Sequence, residues 1–340
     1  MGAGGPVGEN SPPPSPLPAE APPPMTSPLS QALAAVSRQR MKEDLFALSQ
    51  DPFTFRTVAY TAPWHARNSL DETDQWLEER IRQCPQALLA VKPNRIQCFR
   101  CSFDPQLPRG RWYAPPLPED PWYDGRNLVA TLPGNERPGE IIYLLAHKDS
   151  QSWINGPGAH DNATGTVALL ELLRLLATLP RKRTIRFLFC NEEHSPWHSA
   201  DEAQEARKNQ DQVIAVINVD CLCGRSEADR LAGRHTMAVL SSTPEGRPLA
   251  RLMASMAKET GLPLECTTGE REVSDDDGSF VKAGFPQAVV CQGSHPYADE
   301  QYHLPGDVPQ RVDLECLVLS VQAILAGILR LDGLSGPLAP

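Results

Sequence analysis

Glu140-Ile-Ile-Tyr-Leu-Leu-Ala-His-Lys-Asp149 is an apolar run that ends, without a spacer, in an imidazole, an ammonium and a carboxylate. Two other stretches repeat the pattern. Thr184–Phe189 leads into Cys190-Asn191-Glu192-Glu193. Val213–Val219, near-continuously apolar as in a strand buried on both faces, leads into Asp220. Between the first two lies Asn162–Leu179, with leucines at helical spacing and a stop at Pro180. Strands that alternate with helices predict an α/β fold, a three-layer αβα sandwich around a mixed, mainly parallel central sheet. In such sheets chemistry gathers at the carboxyl ends of strands, where these polar clusters sit.

Working outward, Asn127–Leu132 and Glu140–Ala146 flank Pro133-Gly134-Asn135 and read as a hairpin-like antiparallel pair. Thr236–Leu240 and Gln287–Cys291 are further strand candidates; residues 31–50, Asp71–Cys84, Arg247–Thr260 and Leu314–Leu331 read as helices. Ser69-Leu70-Asp71-Glu72 offers a helix N-cap with acids in the first turn. Residues 102–125 carry six prolines and read as an irregular surface loop outside the chemistry.

Ten of the 34 prolines lie between Pro6 and Pro28, a stretch whose only charges are Glu9 and Glu20. Residues 1–30 therefore read as a disordered leader, and 31–340 as a single catalytic domain. The start has neither the basic residues nor the apolar run of a secretory signal, and the nine cysteines are an odd number. The expectation is reduced thiols and a cytoplasmic setting. Cys98-Phe99-Arg100-Cys101 is a lone CxxC without a second pair, so it reads as ordinary buried thiols rather than a zinc or redox motif. A net charge of −10 argues against a nucleic-acid partner. No run approaches 18 uninterrupted apolar residues, so no membrane-spanning helix is expected.

On an extended path His147 and Asp149 point the same way and Lys148 points opposite, which predicts a solvent-facing ammonium. Asp161, in Gly158-Ala-His-Asp-Asn162, sits where a loop turns into a helix, and His303 opens His-Leu-Pro-Gly-Asp307 in a loop before the last helix. A single Asp at a strand end is ordinarily a cap, and a single His an ordinary imidazole. Together, His147, Asp161, Glu193, Asp220 and His303 supply three carboxylates and two imidazoles with no thiolate. That set suits borderline divalent cations with coordination positions left for water.

The order of these motifs resembles the co-catalytic di-zinc exopeptidases, the family of bacterial leucyl aminopeptidases and glutamate carboxypeptidase relatives. The likeness runs from about His65 to about Leu331. It rests on HxD at 147–149, Gly-Ala-x-Asp-Asn-Ala-x-Gly at 158–165, Glu-Glu at 192–193, Asp220, and His-x-Pro-x-Asp at 303–307. The resemblance implies two zinc ions per chain, bridged by Asp161. His147 and Asp220 would complete one site, Glu193 and His303 the other. It implies Glu192 as general base toward the nucleophilic water and Asp149 as the partner that orients His147. The implied activity is that of an aminopeptidase acting on peptides.

Two departures stand out. His160 occupies the place where the family often has Asp. Asp277 stands where the family often has His near the substrate. The alternatives are carboxypeptidase or dipeptidase action on the same scaffold, a glutaminyl cyclase-like aminoacyltransferase, which is close kin and can use one zinc, and a non-catalytic relative.

Overall fold

The computed structural model describes residues 1–2 and 27–336. The leader thus lies almost wholly outside the described residues; its last three residues already belong to a helix. In chain order the elements are α1 (Pro28–Ala34), α2 (Arg38–Ser49), α3 (Ser69–Arg82), β1 (Leu88–Cys98), β2 (Arg100–Cys101), β3 (Tyr113–Ala114), β4 (Tyr123–Leu132), β5 (Arg137–His147), α4 (Thr164–Thr178), β6 (Arg183–Cys190), β7 (His194–Ser195), α5 (Ser199–Lys208), β8 (Gln212–Val219), α6 (Glu227–Leu231), β9 (Thr236–Ser241), α7 (Arg247–Thr260), β10 (Glu265–Glu270), α8 (Asp275–Lys282), β11 (Ala288–Gln292) and α9 (Leu314–Gly333).

The central sheet runs β10-β9-β11-β8-β5-β6-β4-β1-β7. Its middle, β11-β8-β5-β6, is parallel. Antiparallel pairings join β11 to β9 and β6 to β4 to β1. Strand periodicity divides the core cleanly. Ile142, Leu144 and Ala146 of β5 face one cluster with α1, α2, α3, α4, α7 and α9, while Ile141, Tyr143 and Leu145 face a smaller one under α5 and α8. This is the αβα sandwich that the alternation of elements predicts.

Several expectations need correction. β4 and β5 do not form a hairpin: β6 lies between them, antiparallel to one and parallel to the other. The connector pairs instead with the chain entering β6, through Asn135 N–H to Arg181 O and Glu136 N–H to Lys182 O. Gly134 allows this crossing, because a Cβ there would lie 2.4 Å from the Arg183 carbonyl carbon. Residues 31–50 form two helices, since Ser37 caps α2 through Arg40 N–H while its own N–H donates to Glu171 Oε1. Asn68, not Ser69, caps α3. Strands β1 and β10 and helices α5 and α8 complete the fold beyond what the sequence pattern suggested.

Lys148 is not solvent-facing. It is fully buried, donating to Asn191 Oδ1 at 2.7 Å and pairing with Asp74 Oδ1 at 2.9 Å. Alternation does point it away from His147, but that side of the strand end is covered by α3. Cys98 and Cys101 are free thiols, half-buried and exposed respectively. α9 is long and apolar enough to cross a membrane, yet it is a core helix with Leu317, Val321, Ile324, Leu325 and Ile328 fully buried.

Candidate metal centre

The parallel strands deliver polar residues to one edge of the sheet. His147 closes β5, Glu192 and Glu193 follow β6, and Asp220 follows β8. Asp161 lies in the turn entering α4, where it and Asn162 leave helical φ/ψ. The Asn162 side chain ties this turn to the end of β8, donating to Val219 O and accepting from Gly165 N–H. His303 arrives from the loop between β11 and α9.

Asp161 is shared by the two imidazoles. His147 Nε2 lies 3.0 Å from its Oδ1, and His303 Nε2 lies 3.0 Å from its Oδ2. His147 Nε2 is also 3.4 Å from Asp220 Oδ1, and His303 Nε2 is 3.3 Å from Glu193 Oε1. Glu192 turns to the other side from Glu193. It offers a donor atom within 4.8 Å of those of His147 and Asp220, whereas Glu193 gathers with His147 and Asp161. All six residues read from the sequence as ligands or base therefore meet in one place.

The tautomers follow from the partners. Gly110 O can only accept, so His303 Nδ1 donates to it at 2.9 Å. Asp149 Oδ1 accepts from His147 Nδ1 at 3.2 Å and from Glu192 N–H; its Oδ2 accepts from His194 Nδ1 at 2.7 Å and from Glu193 N–H. With Nδ1 spent as a donor, each ring turns its Nε2 toward carboxylates. His303 Nε2, Asp220 Oδ1 and Glu192 Oε2 are buried and make no hydrogen bond despite these short approaches. Carboxylates gathered this closely call for positive charge, a proton on Nε2 or a cation in its place, and the donor set of imidazole nitrogen and carboxylate oxygen fits zinc.

The electrostatics agree. Burial opposes charge on His147 and His303, yet the surrounding carboxylates hold both well above the usual imidazole value. Asp161 and Asp149, also buried, are held low by hydrogen bonds from their histidines. Burial pushes Glu192 well up, with Asp275, Asp276 and Asp220 adding to the rise. Burial likewise raises Glu193.

His160 is not a bare neighbour of the site. Its Nδ1 meets Asp307 Oδ1 at 2.9 Å and Asp299 Oδ2 at 3.1 Å, and Asp307 also accepts from the backbone N–H of His160 and Asp161. Asp277 is fully buried; its Oδ1 pairs with Arg271 and accepts from the Asn218 amide, while its Oδ2 has no hydrogen-bond partner. The 102–125 segment is not outside the chemistry either. It supplies Gly110 O to His303, and the Tyr113 ring lies 5.7 Å from the His303 ring with Trp153 beside both.

His194 and Cys221 belong to the site without having been singled out from the sequence. His194 Nε2 meets Thr57 Oγ1 at 3.0 Å, and hydrogen bonds to Asp149 and Cys98 outweigh its burial and push it up to about 9. The available signal was adjacency alone: His194 follows Glu193, and Cys221 follows Asp220.

Residues 127–327, more than half of the chain, match the profile of Peptidase family M28. The chain belongs to this family. One curated relative, leucine aminopeptidase 1 of Sclerotinia sclerotiorum, is 29% identical over 198 residues, 54% of this chain and 50% of that protein. The chain thus spans about half the length of that relative. Among solved structures, Legionella pneumophila LapA aminopeptidase superposes with a TM-score of 0.69 at 17% identity, over 90% of this chain and 75% of that one. BSAP, a zinc aminopeptidase from Bacillus subtilis, gives 0.63 at 14% identity, over 87% and 95%. The glutaminyl cyclase of Fimbriiglobus ruber gives 0.61 at 15% identity, over 86% and 95%, so the M28 fold is shared across both chemistries.

Proposed function

We propose that this chain is a two-zinc aminopeptidase that releases N-terminal residues from peptides. One observation carries the reading: the two oxygens of Asp161 are divided between two imidazoles whose other ring nitrogens are already spent as donors. His147 and Asp220 would hold one ion, His303 and Glu193 the other, and Asp161 both. Bound there, zinc supplies polarisation of the scissile carbonyl and a water acidic enough to attack near neutral pH.

The chain's own residues do the rest. Glu192 has a buried oxygen with no hydrogen-bond partner, and burial raises its proton affinity. It is suited to take a proton from the attacking water and deliver it to the leaving amine. Asp149 fixes the ring of His147 and, through Glu192 N–H and Glu193 N–H, the relation of base to ligands. Trp153 and Tyr113 pack their rings edge-on against the His303 ring. The excess of carboxylates attracts a substrate ammonium to this end of the sheet.

The test is product analysis on a carboxyl-blocked peptide that begins with glutamine, with the zinc-loaded protein. The reading predicts free glutamine and a shortened peptide, both abolished by chelation. Loss of ammonia from an otherwise intact peptide would replace it with the cyclase reading. Hydrolysis unaffected by chelator would overturn the metal scheme.

A further inference from the structure

Cys221 brings a sulfur into the metal centre. Its Sγ and carboxylate oxygens of Asp161 and Asp220 all lie within 4.8 Å of one another. The residue is 4% exposed and adopts φ +53, a left-handed conformation that side chains other than glycine rarely take. The surroundings hold it there. Its N–H donates to Asn162 Oδ1 at 3.3 Å, and its carbonyl accepts from Gly293 N–H at 3.0 Å and Gly224 N–H at 3.3 Å. Asn162 is also the side chain that fixes the turn carrying Asp161, so thiol and bridging carboxylate are positioned by one amide. Around them, His303 Nε2, 3% exposed at its side chain and 3.0 Å from Asp161 Oδ2, has no hydrogen-bond partner, and neither does the buried Glu192 Oε2.

We propose that Cys221 is a sulfur donor to the ion that Asp161 and Asp220 hold, so that this position takes a thiophilic cation such as zinc, cobalt(II) or cadmium in preference to manganese or magnesium. The inference rests on the two-zinc reading and extends it to which metals the centre accepts. Coordination forms a sulfur–metal bond and releases the thiol proton to solvent.

Cobalt(II) loading of the metal-free protein, followed by absorption spectroscopy, tests this. The expected spectrum has visible d–d bands together with a near-ultraviolet sulfur-to-cobalt charge-transfer band. In Cys221→Ser the charge-transfer band is lost and the d–d bands remain. If the serine variant does not fold, Cys221→Gly removes the sulfur and suits the left-handed backbone, with the same readout. Visible bands without charge transfer in the unsubstituted protein would overturn the proposal and leave the two-metal reading standing. So would a charge-transfer band that survives in the variants. Absence of cobalt uptake would overturn both.

Discussion

Asp161 faces two imidazoles that reach it from sequence positions far apart, and Asp149 does the complementary work behind one of them, His147, by accepting four donors at once. At this scale the roles separate by mutation. Glu192→Gln keeps the size of the side chain and removes the base. Turnover should fall by roughly 10²–10⁴-fold while zinc content stays unchanged, measured by steady-state rates and metal analysis on one preparation. Asp149→Asn removes the charged acceptor of His147 Nδ1, and the affinity of the site for zinc should fall by about 10–100-fold in a chelator competition. His147, Asp161, Glu193 and Asp220 were legible in the sequence because they sit at strand ends or where a helix opens; His303, in a loop, was legible only through the order of the motifs. His194 was not. It reaches Asp149 only because β7 pairs with the end of β1, at Cys98, and neither strand carries a strong pattern.

The elements around the site are held by buried polar contacts rather than by apolar packing alone. Lys148 links the end of β5 to Asp74 of α3 and to Asn191 ahead of the two glutamates. Burial raises Asp74 to about 6 even with Lys148 beside it. Lys148→Met should leave Asp74 with Arg126, at 3.4 Å, as its remaining cation and cost about 3 kcal/mol of stability, read from denaturant unfolding. The 102–125 segment holds His303 through Gly110. A Cβ at Gly110 would lie 2.5 Å from Tyr302 O, so Gly110→Val must displace one of the two loops. Zinc affinity should weaken by about 10–100-fold, with the loss confined to one ion. Alternation along β5 gave the direction of Lys148 correctly. Its burial depends on α3, which covers that side from 70 residues earlier in the chain, and no local pattern encodes that. β1 escaped notice for a similar reason. It borders little beyond β4, is exposed over much of its length, and carries Pro93, all features of a strand near a sheet edge. The apparent hairpin failed because a short turn-like connector looks the same whether the next strand pairs at once or one position away.

For the whole molecule, the parallel centre of the sheet aims β5, β6 and β8 at a single edge, and loops entering α4 and α9 close on it. The site collects five carboxylates, Asp149, Asp161, Glu192, Glu193 and Asp220, around the imidazoles of His147 and His303. Metal bound there would be coupled to folding. With zinc at 1,000 times its dissociation constant, one site contributes about 4 kcal/mol, so chelation should lower the unfolding temperature measurably. The apolar helix α9 shows why hydropathy has to be read with the sheet in view: it spans the core against α4 and α7. The central claim is that two ions share Asp161. Zinc per chain, measured after saturation and exhaustive removal of loosely bound metal, tests it most directly. The account predicts two per chain, falling to one in His303→Ala; one or none in the unsubstituted protein would contradict it.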